Sequence, residues 1–241
     1  MTIPKTIHYC WFGGKELPDS VIKCIDSWKR YCPDYEIKQW DETNFDIHKY
    51  DYTEEAYSKG KYAFVSDVAR LDIIAREGGI YLDTDVEIIK NIDKLLSYRA
   101  FMAMESENRV ATGLGMGACK NHPFIIENLN EYKNRHFLLK NGKIDTTTCV
   151  TITSNLINKE YGRLTNNTVN MANLTIFSTE VFNPFDFIKN KLNITDHTLA
   201  IHHFDATWKE KPDKFIKVKV RLRQIIGSKI YDFLKKYIQS K

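Results

Sequence analysis

Two carboxylates, Asp83 and Asp85, stand one residue apart in the stretch Gly78-Gly79-Ile80-Tyr81-Leu82-Asp83-Thr84-Asp85-Val86. The apolar run reads as a short strand emerging from a core, and side chains at i and i+2 of a strand project to the same face. Acids so placed repel one another unless a cation or hydrogen-bond donors sit between them, so the pair suits a hard divalent metal held by oxygen. The same three residues, taken alone, also describe an acidic turn after a strand. The elements around them have to decide.

The helix expected over 62 to 78 carries an apolar stripe, Phe64, Val68, Leu71 and Ala75, at helical spacing. Asp67 and Arg70 lie three apart on a neighbouring face, within reach of each other. As a surface pair they would contribute little, about 0.3 to 0.5 kcal/mol. Gly78-Gly79 ends the helix and leads directly into the acidic stretch, so a short connection packs helix and strand as one unit. Arg70 would then stand beside two acids and their ligand as a recognition group.

Upstream, Ile3 to Cys10 reads as a buried first strand closed by Gly13-Gly14, with Trp11 at or near its carboxyl end. Ligand crevices of open α/β sheets lie outside the carboxyl ends of the strands, where an aromatic ring can stack on a planar base; a core position is the competing reading for Trp11. Leu17 to Trp28 fits a helix and Tyr35 to Trp40 a strand, giving the strand, helix, strand order of a nucleotide-binding α/β half. Gly13-Gly14 lacks the further glycine of a dinucleotide fingerprint and no GxxxxGK[ST] loop occurs, which argues against dinucleotide oxidoreductases and P-loop phosphotransferases.

The chain has 241 residues, 43% hydrophobic and 27% charged, enough for one substantial core and unlike a disordered segment. Five scattered cysteines without a CxxC pair indicate neither a disulfide framework nor a zinc knuckle, and suit a reducing compartment. The opening residues lack the pattern of a secretory leader, and nowhere do about 18 apolar residues run together, so neither export by that route nor a membrane span is expected.

Further along, Ala100 to Glu105 reads as a strand and Thr112 to Cys119 as a glycine-rich strand or loop. Pro123 to Leu139 reads as a helix, and Asp145 to Thr148 as a helix N-terminus. The three glycines of 112 to 119 fit close approach to a ligand or a flexible loop equally well. Leu199-Ala200-Ile201-His202-His203 reads as a strand returning toward the acids. Alternation would point one of the two histidines inward and the other outward.

Four ordered motifs carry a family resemblance: Ile3-Pro4-Lys5-Thr6-Ile7-His8 with Trp11; Ser66-Asp67-Val68-Ala69-Arg70; Gly78 to Asp85; and His202-His203-Phe204-Asp205-Ala206-Thr207-Trp208. Together they resemble the sugar-nucleotide glycosyltransferases of family 32, the group with a sugar-binding region containing a DXD motif. They are more distantly similar to the catalytic domains of the large clostridial glucosylating toxins. The resemblance implies a GT-A type α/β fold over residues 1 to 208, with a mostly parallel central sheet flanked by helices. It also implies retaining transfer from a UDP-sugar, dependent on Mn²⁺ or Mg²⁺. By the same resemblance Trp11 stacks on uracil and Asp67 and Arg70 hold the donor sugar. Asp83 meets the ribose and shares the metal, Asp85 binds the metal directly, His203 is a further metal ligand, and Trp208 donates to the β-phosphate.

Residues 209 to 241 differ in character. Eleven Lys and Arg against three acids give this segment +8 in a chain of net +4, leaving −4 on residues 1 to 208. Leu222, Ile225, Ile226, Ile230, Phe233, Leu234, Tyr237 and Ile238 recur at helical spacing among the basic residues. This suits a basic amphipathic helix lying on an anionic membrane surface, or one docked on the catalytic domain. No nucleic-acid motif accompanies the charge. The expectation is a hexosyltransferase, with galactose or glucose as the sugar, acting on a polyprenyl-pyrophosphate-linked glycan in bacterial capsular or surface polysaccharide assembly. It would be cytoplasmic and peripheral at the inner face of the membrane. The competing classes are a metal-dependent phosphohydrolase and a non-catalytic carbohydrate- or lipid-binding module.

Overall fold

The computed structural model describes residues 2–186 and 191–204. Trp208 and the basic segment 209–241 lie outside the described residues.

The chain opens with β1 (Thr6–Cys10), α1 (Asp19–Tyr31) and β2 (Glu36–Trp40), followed by α2 (Asp51–Ser58), α3 (Tyr62–Glu77), β3 (Gly79–Tyr81) and β4 (Val86–Ile88). Next come β5 (Ala100–Ser106), β6 (Arg109–Ala111), β7 (Met116–Ala118), α4 (Pro123–Asn130), α5 (Cys149–Tyr161), β8 (Val169–Asn170) and β9 (Thr175–Phe177). A short α6 (Thr179–Phe182), a ribbon of β10 (Phe185–Asp186) with β11 (Lys191–Leu192), and β12 (Ala200–His202) complete the described chain.

An eight-stranded sheet runs β2-β1-β3-β7-β5-β9-β8, with β6 paired to β5. β2, β1 and β3 pair in parallel, β7 is antiparallel to both β3 and β5, and β9 is parallel to β5. Thus β1, β2, β3, β5 and β9 all point one way, and β6, β7 and β8 run against them. Successive residues of the central strands enter opposite cores: Ile7, Tyr9, Ile80, Phe101 and Ala103 on one face, Cys10, Tyr81, Met102 and Met104 on the other. The first face is covered by Val21, Ile25 and Trp28 of α1 and by α6; the second by α2, α3 and α4. Strands buried on both faces read as unbroken apolar runs, which is why they were visible in the sequence.

α3 is the central helix. Val65, Val68, Leu71, Ile73 and Ile74 are all fully buried because the helix lies between the sheet and α2 and α4. It ends where Gly78, at φ 73°, returns its N–H to Ile74 O at 3.0 Å, a left-handed position that glycine takes without the Cβ penalty. α4 stops at Asn130, well short of Leu139, because the chain breaks into turns before a bridge between Leu138 and Ile144. No helix among the described residues is long and apolar enough to cross a membrane.

Candidate active site

β1 and β3 end at the same edge of the sheet, so Trp11 and Asp83, which follow them, emerge side by side as elements of one crevice edge. Asp83 and Asp85 do not lie on a continuous strand; of the two readings of the sequence, the acidic turn after a strand is the one the structure has. β3 stops at Tyr81, and Asp83 O accepts from Val86 N at 3.1 Å, closing a turn. The chain then enters β4, whose partner is β12 rather than the main sheet. Two hydrogen bonds from α1 fix β4: Trp28 Nε1 donates to Val86 O at 2.7 Å, and Ser27 Oγ accepts from Ile88 N at 3.0 Å.

The turn still brings the carboxylates together, and β12 adds a histidine. Asp83, Asp85 and His202 each offer a ligand atom, and these atoms all lie within 4.8 Å of one another. His202 Nε2 is 3.0 Å from Asp85 Oδ1, while its buried Nδ1 has no hydrogen-bond partner among the described residues. Burial disfavours the imidazolium, but the Asp85 contact outweighs it and raises the pKa of His202. The sequence reading favoured His203 as the ligand, and it is His202 that the structure brings beside the two carboxylates. The register of β12 on β4 sets His202 opposite Val86, whereas the His203 ring turns outward to Glu87 Oε2 at 2.9 Å. His203 keeps only a backbone link to the cluster, its N–H donating to Asp85 O at 3.0 Å.

Next to this cluster a buried guanidinium holds two part-buried carboxylates. Arg70, 4% exposed, places Nη2 3.2 Å from Asp67 Oδ1 and 3.0 Å from Asp83 Oδ1. Its Nε donates to Ser66 O and its Nη1 to Thr112 Oγ1, and the guanidinium lies over the Tyr81 ring at 4.9 Å. Burial opposes the Arg70 charge, but Asp83 and Asp67 more than compensate and raise its pKa. Burial also pushes the Asp67 carboxyl up, with Arg70 pulling the other way. This is no surface ion pair; it is a desolvated one, whose worth depends on every partner being present. Tyr81 donates its hydroxyl to Asp83 Oδ1 at 3.1 Å, and Asp83 N–H donates to Gly113 O at 2.8 Å. Trp11 is half-buried, its indole Nε1 donating to Lys15 O at 2.6 Å.

Tyr81 and Thr112 have no role in the reading of the sequence, which left the glycines between ligand approach and flexibility. They are packed against side chains: a Cβ at Gly113 would meet Asp83, at Gly115 Phe182, and at Gly117 Phe101. Only the alternation of Tyr81 with Ile80 could have placed its hydroxyl on the side of Arg70.

Residues 18–102 match the family described as "Glycosyltransferase sugar-binding region containing DXD motif". Inositol phosphoceramide mannosyltransferase 3 of Schizosaccharomyces pombe is 34% identical over 143 residues, 56% of this chain and 40% of its own length. Mannosyl phosphorylinositol ceramide synthase CSH1 of Saccharomyces cerevisiae is 29% identical over 147 residues, covering 56% and 38%. The chain therefore spans about two fifths of the length of these relatives. Among solved structures, PaToxG glycosyltransferase superposes with a TM-score of 0.50 at 20% identity, over 66% of this chain and 70% of that one. The fold is of GT-A type. Asp67, Arg70, Asp83 and Asp85 all fall within the family stretch, while Trp11 and His202 lie on either side of it.

Proposed function

We propose that the chain is a metal-dependent glycosyltransferase that moves a hexose from a UDP-sugar to a lipid-linked acceptor with retention of anomeric configuration. The observation that carries the reading is the convergence of Asp83, Asp85 and His202 within 4.8 Å, beside the Asp67–Arg70–Asp83 network built on a buried guanidinium. Two carboxylates and an imidazole suit manganese, and magnesium less well, since one donor is nitrogen. A bound cation supplies positive charge for the departing diphosphate.

The chain's own groups do the rest. Trp11 offers a ring face to the base, Asp83 receives the ribose, and Asp67 with Arg70 orients the sugar hydroxyls through charge-assisted hydrogen bonds. Trp208, outside the described residues, donates to the β-phosphate. Positive charge that develops at the anomeric carbon is met by the carboxylates already fixed around Arg70. The acceptor hydroxyl attacks on the face that the phosphate leaves, and the leaving phosphate takes its proton.

The S. pombe and S. cerevisiae relatives are named for mannose and for inositol phosphoceramide, so mannose joins galactose and glucose as a candidate hexose and a lipid remains the acceptor class. A polyprenyl-linked glycan at the cytoplasmic face of a membrane, approached through the basic segment 209–241, fits that class. The test is a panel of UDP-hexoses and GDP-mannose incubated with Mn²⁺, reading donor hydrolysis. Mn²⁺-dependent release of nucleoside diphosphate supports the reading; cleavage of simple phosphate esters alone marks a phosphohydrolase, and binding without turnover marks a lectin-like module. Product NMR decides the stereochemistry, an inverted linkage excluding retention.

A further inference from the structure

Asp83 is held from several directions. Its Oδ1 receives Arg70 and Tyr81, its N–H is anchored on Gly113 O, and its other oxygen fills the space that a side chain at Gly113 would take. A Cβ built on Gly113 would overlap Asp83 Oδ2, stand 2.6 Å from its Cγ and 2.9 Å from Arg70 Nη1. No main-chain atom is among the three nearest, so the obstacle is the functional carboxylate and the guanidinium that holds it. Gly113 is also absent from the glycines with positive φ, so its backbone is open to an L-residue.

We propose that Gly113 is the positioning residue of the site: its missing side chain is the space in which Asp83 swings onto Arg70 and toward the metal donors. The proposal rests on the reading of Asp83 as part of a donor and metal site. A methyl group at 113 turns the carboxylate away, breaking the Arg70 contact and leaving Asp85 and His202 as a two-member set. Glycines 115 and 117 work differently. Their added Cβ atoms would strike Phe182 and Phe101, which are core side chains, so substitution there loosens packing.

The test is a double-mutant cycle over Gly113→Ala and Asp83→Ala, read by calorimetric Mn²⁺ affinity and by melting temperature. Gly113→Ala is expected to weaken Mn²⁺ binding at least about tenfold and donor hydrolysis with it, with the melting temperature within about 3 °C of the parent. In the Asp83→Ala background the same substitution should leave Mn²⁺ affinity unchanged, because the closest overlap is with the carboxylate, and a residual change in melting temperature there reports the Arg70 Nη1 contact. If Gly113→Ala alone fails to fold while the double variant folds, the coupling is upheld. Parental Mn²⁺ affinity in Gly113→Ala, or equal damage in both backgrounds, overturns it. A parent protein that neither binds Mn²⁺ nor turns over donor overturns the proposed function instead, and the melting temperatures of the cycle still report on the coupling.

Discussion

His202 Nε2 lies 3.0 Å from Asp85 Oδ1, while the adjacent His203 faces away to Glu87. His202→Ala is therefore expected to weaken Mn²⁺ binding by at least about tenfold, as losing one of three donors should. His203→Ala removes only an exposed pair worth about 0.5 kcal/mol or less and keeps the backbone bond to Asp85. Calorimetric titration of both variants with Mn²⁺ checks this; the reverse order would show that His203 is the ligand.

Arg70 satisfies Asp67 and Asp83 with one nitrogen while its other two nitrogens serve Ser66 and Thr112. A lysine head cannot reproduce that planar fork. Arg70→Lys should keep the fold and lower donor hydrolysis about 100-fold. Arg70→Met leaves the Asp67 carboxylate buried without its cation and should cost about 3 to 5 kcal/mol in urea unfolding. Comparable stability of the two variants would argue against a desolvated pair.

His8 is buried between Trp40 Nε1, which donates to its Nδ1 at 3.0 Å, and Gly78 O, 3.0 Å from its Nε2. The ring must be neutral to accept from Trp40, and burial lowers its pKa from 6.5 to about 4. The unfolded chain takes up a proton near pH 6.5 that the folded chain refuses until about 4, so stability is lost as pH falls through that window. Between pH 7.5 and 5.0 the loss should be about 2 kcal/mol. Urea unfolding at both pH values, in the parent and in His8→Gln, isolates the effect from the other histidines; equal slopes would remove His8 as the cause.

Ser27 and Trp28 reach from α1 to successive parts of β4. Ser27→Ala orphans the Ile88 N–H and should cost about 1 to 3 kcal/mol. Because β4 directly follows Asp85, the same variant should weaken Mn²⁺ binding although residue 27 is not a ligand. Lowered stability with unchanged metal affinity would mean that β4 is held well enough by β12 alone.

What could be read from the sequence follows from periodicity. α3, its glycine stop and the strands buried on both faces announce themselves through apolar spacing and φ-permissive residues. The pairing of Asp67 with Arg70 follows from helical geometry, but not its burial, which depends on Tyr81, Thr112 and Cys149 at the start of α5 closing around the pair. The turn at Asp83 stood in the sequence as one of two readings and nothing local chose it, because the hydrogen bond from Val86 N to Asp83 O accompanies β4 leaving the sheet for β12. The same pairing sets which of His202 and His203 faces Asp85, a choice that alternation alone left open. The early end of α4 was hidden because Leu129, Tyr132 and Phe137 continue to look helical after the chain has turned.

The antiparallel pairing of β12 with β4 also bears on biosynthesis. Asp85 and His202 are brought together across the whole length of chain between them, so a nascent polypeptide displays both carboxylates long before the imidazole leaves the ribosome. The isolated family stretch, residues 18–102, would hold two of the three donors and lack Trp11. Completion of the cluster is thus a late event in the life of each molecule, and a chain stalled before residue 200 would carry the stretch with both carboxylates and lack the imidazole that joins them.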